Sequence, residues 1–256
     1  MFKFEFLIYL RNKILLNLKN YQKQKQVLFV IPARSGSKGV KNKNLKICAG
    51  ESLLRRAVKI ANEIEFDSRV IVSTDSEDYL KHVADLNCHQ NFLRTSYLSG
   101  DLIGDIEVLT HALHSAEIEF NENYKCVTML QPTSPLRKKE HIYDSINAVI
   151  AESWEASLTV NSVDLKYHPL KSLKVSVNGS SEYFLNDGSK IIGRQMLDQT
   201  YIRNGACYSI TPLSLTTLKT FIGPHSKLIV TEPMISIDSI DEINECETIL
   251  LKRNIS

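Results

Sequence analysis

The sequence lacks the patterns that mark disulfide-linked, zinc-binding and membrane-spanning proteins. Its five cysteines are an odd number, widely spaced and without a C-x-x-C pair, which favours reduced thiols in a cytoplasmic protein. The formal net charge is only +2, so no overall field argues for nucleic acid or a membrane surface as a partner. No apolar run is long enough to cross a bilayer, and no transmembrane segment is expected. What remains is an ordinary globular composition of 256 residues, enough for one large α/β domain.

The first 26 residues differ from the rest of the chain. They contain six lysines and arginines against one acidic residue, Glu5. Arg11 and Lys13 interrupt the apolar stretch, so it is too short and too charged to span a membrane. One interpretation is a basic amphipathic helix on a membrane surface or a partner. The other is an extension that docks on its own protein or results from the choice of start codon. We therefore predict a basic extension over 1–26 and a single domain over 27–256.

Short β-rich runs alternate with helical patterns from residue 27 to about residue 155. This alternation predicts parallel crossovers and a doubly wound α/β sheet. Strands are predicted over 27–31, 69–75, 125–130 and 155–160. Helices are predicted over 51–64, from about 76, and over 104–118 and 139–152.

The pattern changes after about residue 155. Within 171–190 the residues alternate and contain Asn178-Gly179 and Asp187-Gly188, pairs that are typical of β-hairpin turns. We predict a small β-rich insertion at about 161–200 that supplies substrate or dimer contacts. The chain then returns to the sheet over 203–210. Residues 236–253 predict a strand end followed by a final helix.

The loop after the first predicted strand has the composition of a phosphate-binding loop. Gly36 and Gly39 let backbone N–H groups approach an anion, and Arg34, Lys38 and Lys43 add charge-assisted hydrogen bonds. The loop has neither G-x-x-x-x-G-K-[ST] nor G-x-G-x-x-G spacing. In an open parallel sheet, ligands collect at the carboxyl ends of strands, where this loop lies. On chemistry alone, a solvated basic loop is the alternative.

The segment "IPARSGSKGVKNKNLK" resembles the signature loop of the CMP-sugar synthetase family for nonulosonic acids, typified by N-acylneuraminate cytidylyltransferase. Further segments occur in the family's order and spacing: "VIVSTDS" (70–76), "LRTSYLSGD" (93–101), "LQPTSPLR" (130–137), "YHPLKSL" (167–173), "RQ" (194–195), "RNGACY" (203–208) and "SIDSIDE" (236–242). The resemblance implies a Rossmann-like nucleotide-diphospho-sugar transferase fold, with a mostly parallel mixed sheet flanked by helices.

The same resemblance implies a nucleoside triphosphate in the first loop. It assigns nucleotide contacts to Arg34, Ser37, Lys38, Lys43 and Asn44. Arg94 is expected to be a further nucleotide contact, with a surface arginine as the alternative. Cations facing a triphosphate also stabilise charge on the departing pyrophosphate. Arg34 and Lys43, together with Asp238, are therefore the expected catalytic residues.

On the sugar side, the resemblance assigns contacts to Gln131, Lys171, Arg194 and Asn204. Nine-carbon acidic sugars have a carboxylate beside the reacting carbon, so their site needs a cation. Lys171 and Arg194 match the family's basic residues in these segments. Arg194 is the stronger candidate because a guanidinium can hold a carboxylate with two parallel hydrogen bonds.

The implied reaction is attack of the sugar's anomeric hydroxyl on the α-phosphorus of CTP, with release of pyrophosphate and with Mg2+ bridging phosphate oxygens. The family's metal segment usually reads D-I-D-[ST], whereas this chain has Ser236 before Asp238. In a strand both positions would share a face, so a hydroxyl replaces one carboxylate. Asp238 is the predicted Mg2+ ligand, with Asp75 and Asp241 as weaker candidates.

Asp105 is a second departure, because small hydroxyl residues often meet the base at this position in the family. We expect it either to alter recognition of cytosine or to cap the next helix, and the capping interpretation is favoured.

The expected acceptor is N-acetylneuraminate, with legionaminate or pseudaminate as alternatives. A nucleotide-sugar-binding protein without turnover is the alternative of another class, and Ser236 motivates it. The resemblance further implies a homodimer in which the insertion reaches the partner. It also implies a product used to decorate lipopolysaccharide, capsule or glycoprotein.

Overall fold

The computed structural model describes residues 23–36, 39–89, 93–95, 97–100 and 102–253. The predicted N-terminal extension therefore lies outside the described residues as far as residue 22. Its last four residues, 23–26, belong to the first strand, which begins earlier than predicted. Among the described residues, no helix combines the length and the apolar composition that crossing a membrane requires.

Six strands form one mixed sheet in the order β10-β6-β9-β5-β1-β4. These strands are β1 (Lys23–Pro32), β4 (Ser68–Ser73), β5 (Glu122–Met129), β6 (Ala156–Ser162), β9 (Tyr201–Ile210) and β10 (Ser226–Thr231). β1 pairs in parallel with β4 and β5, and β6 pairs in parallel with β10. β9 runs antiparallel between β5 and β6. The prediction of a mostly parallel mixed sheet is confirmed.

Helices cover both faces of this sheet, which explains the continuous apolar run of β1. Residues 27–31 are fully buried because α1 (Leu53–Asn62) and α4 (Lys139–Ile150) pack on one face. α3 (Asp105–Phe120) and α5 (Pro212–Thr217) pack on the other face. The short α2 (Glu77–His82) begins after Ser76, whose side chain accepts a hydrogen bond from the Tyr79 N–H.

The last helix, α6 (Ile240–Arg253), packs on a third cluster that includes Cys48 of the short strand β2 (Ile47–Cys48) and Leu53. β2 pairs with β3 (Glu51–Ser52). The strand end predicted at residue 236, before the final helix, is wrong, because 233–238 is not a strand. It is held instead by the buried Ile237, whose N–H donates to the Thr133 carbonyl over 2.8 Å.

The insertion is the connection between β6 and β9, leaving the sheet at Ser162 and returning at Tyr201. Its hairpin consists of β7 (Leu173–Val175) and β8 (Ser181–Tyr183), and it turns at Asn178-Gly179 as predicted. The second predicted hairpin turn, at Asp187-Gly188, is wrong. Residues Asn186–Lys190 form a 3-10 helix there, because the Gly188 N–H bonds to the carbonyl of Leu185 rather than across a strand pair.

Candidate active site

A cavity of about 470 Å³ opens where β1 and β5 end. It lies at the carboxyl edge of the parallel strands, where ligands bind in open α/β sheets, and its volume is in the range of small-molecule sites. Six of the predicted site residues line it: Arg34, Lys43, Asn44, Arg94, Gln131 and Asp238. Ser37 and Lys38, predicted in the same loop, lie outside the described residues.

The first loop is held in place by side chains that face its backbone. Asp75 accepts hydrogen bonds from the Ser35 N–H over 2.8 Å and from the Ser35 hydroxyl over 3.2 Å. The Asn44 amide donates to the Arg34 carbonyl over 3.1 Å, and Asn44 is buried. Asp75 therefore anchors the loop, which is a different task from the weak metal role considered for it. Asn44 likewise positions the loop through the contact that the structure shows.

The loop also contacts the segment before α6. A Cβ atom placed on Gly39 would lie 2.7 Å from the Asp238 carbonyl, so glycine allows this close approach. The Lys43 ammonium forms an ion pair with the Asp238 carboxylate at 2.8 Å. The Lys43 side chain is 14% exposed, whereas that of Asp238 is 80% exposed. The lysine predicted to bind phosphate and the predicted metal ligand thus contact each other at this cavity.

Arg94 is a buried cation with only 7% of its surface exposed. Its backbone N–H donates to the Thr74 carbonyl over 2.7 Å, but its Nε has no hydrogen-bond partner among the described residues. Burial lowers the pKa of its guanidinium, although Asp75 and Asp105 act in the opposite direction. A buried donor without a partner is costly, so this wall of the cavity is suited to an acceptor group of a ligand.

A second cavity, of about 290 Å³, adjoins the first. The two cavities share Asp105 and Gln131, so these side chains form the boundary between them. Arg203, Asn204, Tyr208 and Ser236 also line the second cavity. Ser236 lines the second cavity and Asp238 lines the first. The two side chains do not share a face as they would in a strand, because 233–238 is not a strand.

Asp105 begins α3, as the favoured interpretation predicted, but it is the first helical residue rather than the cap. Gly104 occupies the N-cap, and the Asp105 carboxylate accepts a hydrogen bond from the Gln131 amide over 3.5 Å. Burial raises the pKa of the Asp105 carboxyl, whereas Arg203 and Arg94 act to lower it. The side chain is thus part of the site wall.

An irregularity in β9 shapes the second cavity. Arg203 lies opposite Val160 and Tyr208 lies opposite Leu158, so residues 204–207 face a single residue, Thr159. Bulges of this kind are common beside active sites because they redirect side chains. The Tyr208 hydroxyl accepts a hydrogen bond from the Gly205 N–H over 2.9 Å, which fixes the bulge from inside.

Asn204 is the main support of this bulge. Its Oδ1 accepts from the Thr159 hydroxyl over 2.7 Å, and its Nδ2 donates to Asn161 Oδ1 and Thr231 Oγ1 over 3.0 and 2.9 Å. Donors and acceptor of this amide are used within the protein. Asn204 therefore positions the bulge and also lines the second cavity, and its predicted sugar contact stays a prediction.

Lys171 and Arg194 do not lie in the cleft of their own chain. Both line a separate cavity of about 270 Å³ within the insertion. Arg194 is exposed, and its guanidinium approaches the Asp164 carboxylate at 4.0 Å. The structure thus brings Gln131 to the boundary between the first two cavities but leaves the two predicted sugar cations elsewhere.

Arg203 was not predicted as a site residue, although it precedes Asn204 in "RNGACY". Its place as the first residue of this motif was the one sign in the sequence that it belongs to the site. Only the pairing of β9 with β5 and β6 places it beside Asp105 and Gln131. Over the described ranges, no group of three His, Cys, Asp or Glu side chains is arranged to hold a metal ion.

Comparison with known proteins agrees with this geometry. Residues 28–211 match the model of the cytidylyltransferase family. The chain belongs to the cytidylyltransferase family.

Among curated relatives of this cytidylyltransferase chain, N-acylneuraminate cytidylyltransferase of Escherichia coli O18:K1:H7 is 30% identical over 220 residues, covering 86% of this chain and 50% of the relative. The chain thus spans about half the length of that protein. CMP-N,N'-diacetyllegionaminic acid synthase of Legionella pneumophila is 27% identical, with 87% and 91% coverage. Pseudaminic acid cytidylyltransferase of Campylobacter jejuni is 24% identical, with 86% and 93% coverage.

A solved structure of CMP:2-keto-3-deoxy-manno-octonic acid synthetase complexed with CTP has the same fold. Its TM-score is 0.67 at 13% sequence identity, covering 89% of this chain and 99% of that chain. At this identity the likeness supports the Rossmann-like nucleotidyltransferase fold alone.

Proposed function

We propose that this cytidylyltransferase joins CTP to a nine-carbon acidic sugar, giving a CMP-sugar and pyrophosphate. The observation that supports it most is the pair of adjoining cavities. One is lined by Arg34, Lys43 and Arg94, which suits a triphosphate. The other is lined by uncharged hydrogen-bonding groups, by the carboxyl group of Asp105 and by the guanidinium of Arg203, a cation that suits an acidic sugar. Gln131 lies on the boundary, where the two substrates would meet.

In the proposed reaction, the anomeric hydroxyl oxygen of the sugar forms a bond to the α-phosphorus of CTP. The bond from this phosphorus to the bridging oxygen of the β-phosphate breaks, pyrophosphate leaves, and the hydroxyl proton is released. Arg34 and Lys43 would bind the phosphates and stabilise the negative charge that moves onto pyrophosphate. The donors of Arg94 would hold the nucleotide, and the Gln131 amide would hold the sugar, so that both reactants are aligned.

The direct test is an incubation of the purified protein with CTP, Mg2+ and a panel of nonulosonic acids. Pyrophosphate release and formation of the matching CMP-sugar are the expected results. N-acetylneuraminate is the first candidate acceptor, and turnover with only a legionaminate- or pseudaminate-type sugar would replace it. Saturable CTP binding without pyrophosphate release for any sugar would support a non-catalytic binding protein instead. A CTP-consuming reaction would suit a cytoplasmic location.

We further propose Mg2+ as the cofactor, with Asp238 as its protein ligand. The donor set fits a metal that arrives on a triphosphate, because one exposed carboxylate plus phosphate oxygens and waters can complete its shell. When bound, Mg2+ would neutralise phosphate charge at the mouth of the nucleotide cavity.

Changing Ser236 to Asp tests whether this position can contribute to the metal site. If the segment before α6 lets both side chains reach one ion, the Mg2+ concentration for half-maximal activity should fall severalfold. Ser236 lines the second cavity rather than the first, so an unchanged Mg2+ requirement together with a higher sugar KM would assign it to the sugar instead. Ser239→Asp, on the other side of Asp238, is a matched control for added charge.

We also propose a homodimer in which the insertion reaches the partner's cleft. The insertion exposes large apolar side chains that a second copy could cover, including Val175, Val177 and Ile192. Lys171 and Arg194, which lie away from the cleft of their own chain, would then serve the partner's sugar site.

Mixing two inactive variants tests this arrangement. A Lys43→Ala chain and an Arg194→Ala chain form mixed dimers after subunit exchange. If Arg194 acts across the interface, one site of each mixed dimer regains both side chains, and about a quarter of wild-type activity should return at low sugar concentration. A solution mass of a single 29.1 kDa chain, or no recovery despite subunit exchange, would contradict the proposal.

A further inference from the structure

The cation that lines the second cavity is Arg203. The two cations predicted for the sugar carboxylate, Lys171 and Arg194, line the separate cavity of the insertion. Arg203 shares its cavity with Gln131 and Ser236, whose side chains can donate hydrogen bonds to a sugar. An acidic sugar in this cavity would therefore meet a guanidinium of the same chain.

Arg203 is available for a ligand. Arg203 is exposed to solvent, and no carboxylate of a described residue lies within ion-pair distance of its guanidinium. Asp105 lines the same cavity. Burial raises the pKa of its carboxyl group, and the nearby Arg203 acts to lower it. The Asp105 carboxylate accepts a hydrogen bond from the Gln131 amide and none from the Arg203 guanidinium, whose donors therefore remain open to a ligand.

The backbone around Arg203 is held firmly by neighbouring strands. Arg203 pairs with Val160 of β6 at the edge of the bulge. Beyond it, Thr159 binds both Asn204 Oδ1 and the Cys207 N–H, at 2.7 and 2.9 Å. A fixed backbone reduces the entropy lost when a side chain binds a ligand, which suits a specificity contact.

We propose that Arg203 binds the carboxylate of the acidic sugar within its own chain and thereby selects acidic over neutral acceptors. This inference rests on the proposed function. A guanidinium offers two parallel N–H donors that match the two carboxylate oxygens, so it discriminates a carboxylate from an ester or amide of the same sugar. Arg203 is thus a substrate-binding residue.

The test compares wild type and Arg203→Ala with the acid sugar and with its C1 methyl ester. For the acid, the variant should raise the sugar KM by about 10- to 100-fold, as expected for loss of a charge-assisted hydrogen bond. The KM for CTP should stay within about twofold. With the ester, wild type and variant should differ by less than about threefold, because the contact is already absent. Arg203→Lys should restore part of the acid preference.

Lys125→Ala is the matched control, because it removes an exposed strand cation that lines neither cavity. An unchanged sugar KM in Arg203→Ala, or an equal loss with acid and ester, would overturn the inference.

Calorimetric titration of the sugar into protein saturated with CTP separates this inference from the proposed function. Wild type that binds the acid sugar without turnover would contradict the enzyme proposal, and its comparison with Arg203→Ala would still decide the role of Arg203. Wild type that neither binds nor converts any acid sugar would overturn both.

Discussion

Lys43→Ala is expected to lower kcat/KM for CTP by about 10²- to 10³-fold, the scale seen when one preorganised donor to a developing charge is removed. Lys43 lines the cavity proposed to bind the nucleotide, with its ammonium 2.8 Å from the Asp238 carboxylate. Its side chain is mostly buried, so its position is fixed before a substrate arrives. Steady-state rates of pyrophosphate release at varied CTP concentration would measure the loss.

Lys41→Ala is the matched control, since Lys41 is an exposed lysine of the same loop that does not line the cavity. Its kcat/KM should stay within about twofold of wild type. Folding of the Lys43 variant should be nearly unaffected, because its partner Asp238 is exposed and keeps its hydration. Equal losses in both variants would show that the loop acts through general positive charge rather than through Lys43.

Gly205→Ala should damage both the fold and the sugar site. Gly205 has φ +70°, a conformation that costs a residue with a side chain about 1–2 kcal/mol. A Cβ there would also collide with Gln131 Oε1 and lie 2.9 Å from the Ser134 hydroxyl, adding about 1–3 kcal/mol of overpacking. Urea unfolding should show the summed loss, and the sugar KM should rise because the Gln131 amide must move.

Gly179→Ala separates the two contributions. Gly179 also has a positive φ, +84°, but a Cβ there meets nothing within 4 Å. It should lose about 1–2 kcal/mol of unfolding free energy while its sugar KM is unchanged. If Gly205→Ala were no more costly than this control and kept its sugar KM, the close approach of β9 to Gln131 would have no role in the site.

The fold could be predicted well where the pattern is local. The buried run of β1 and the helix predicted over 51–64, within which α1 lies, follow from neighbouring residues. Prediction failed at Asp187-Gly188 and at 236–238, where segments without regular pairing are held by single contacts such as Ile237 to Thr133. Such contacts leave no periodic signal in the sequence.

The candidate site divides in the same way. Arg34, Lys43 and Arg94 could be proposed from composition and resemblance, and they line one cavity. The sugar contact of Asn204 stays a prediction, whereas its hydrogen bonds to Thr159, Asn161 and Thr231 involve residues that sequence spacing does not associate with it. Asp105 begins a helix as predicted, but its hydrogen bond with Gln131 could not be predicted because that residue follows a strand 26 residues away.

The sequence by itself determined the alternation of strands and helices, the cationic loop after the first strand and membership of the family. Each of these depends on neighbouring residues or on motifs in a fixed order. Only the tertiary structure decided which polar groups meet. Pairing of the antiparallel β9 between β5 and β6 brings Arg203 to the cavity lined by Asp105 and Gln131. Lys171 and Arg194 lie in the insertion and line its separate cavity instead. The physical reason is that side chains are assembled at a site by strand order and register, which depend on the burial of the whole sheet rather than on any one segment.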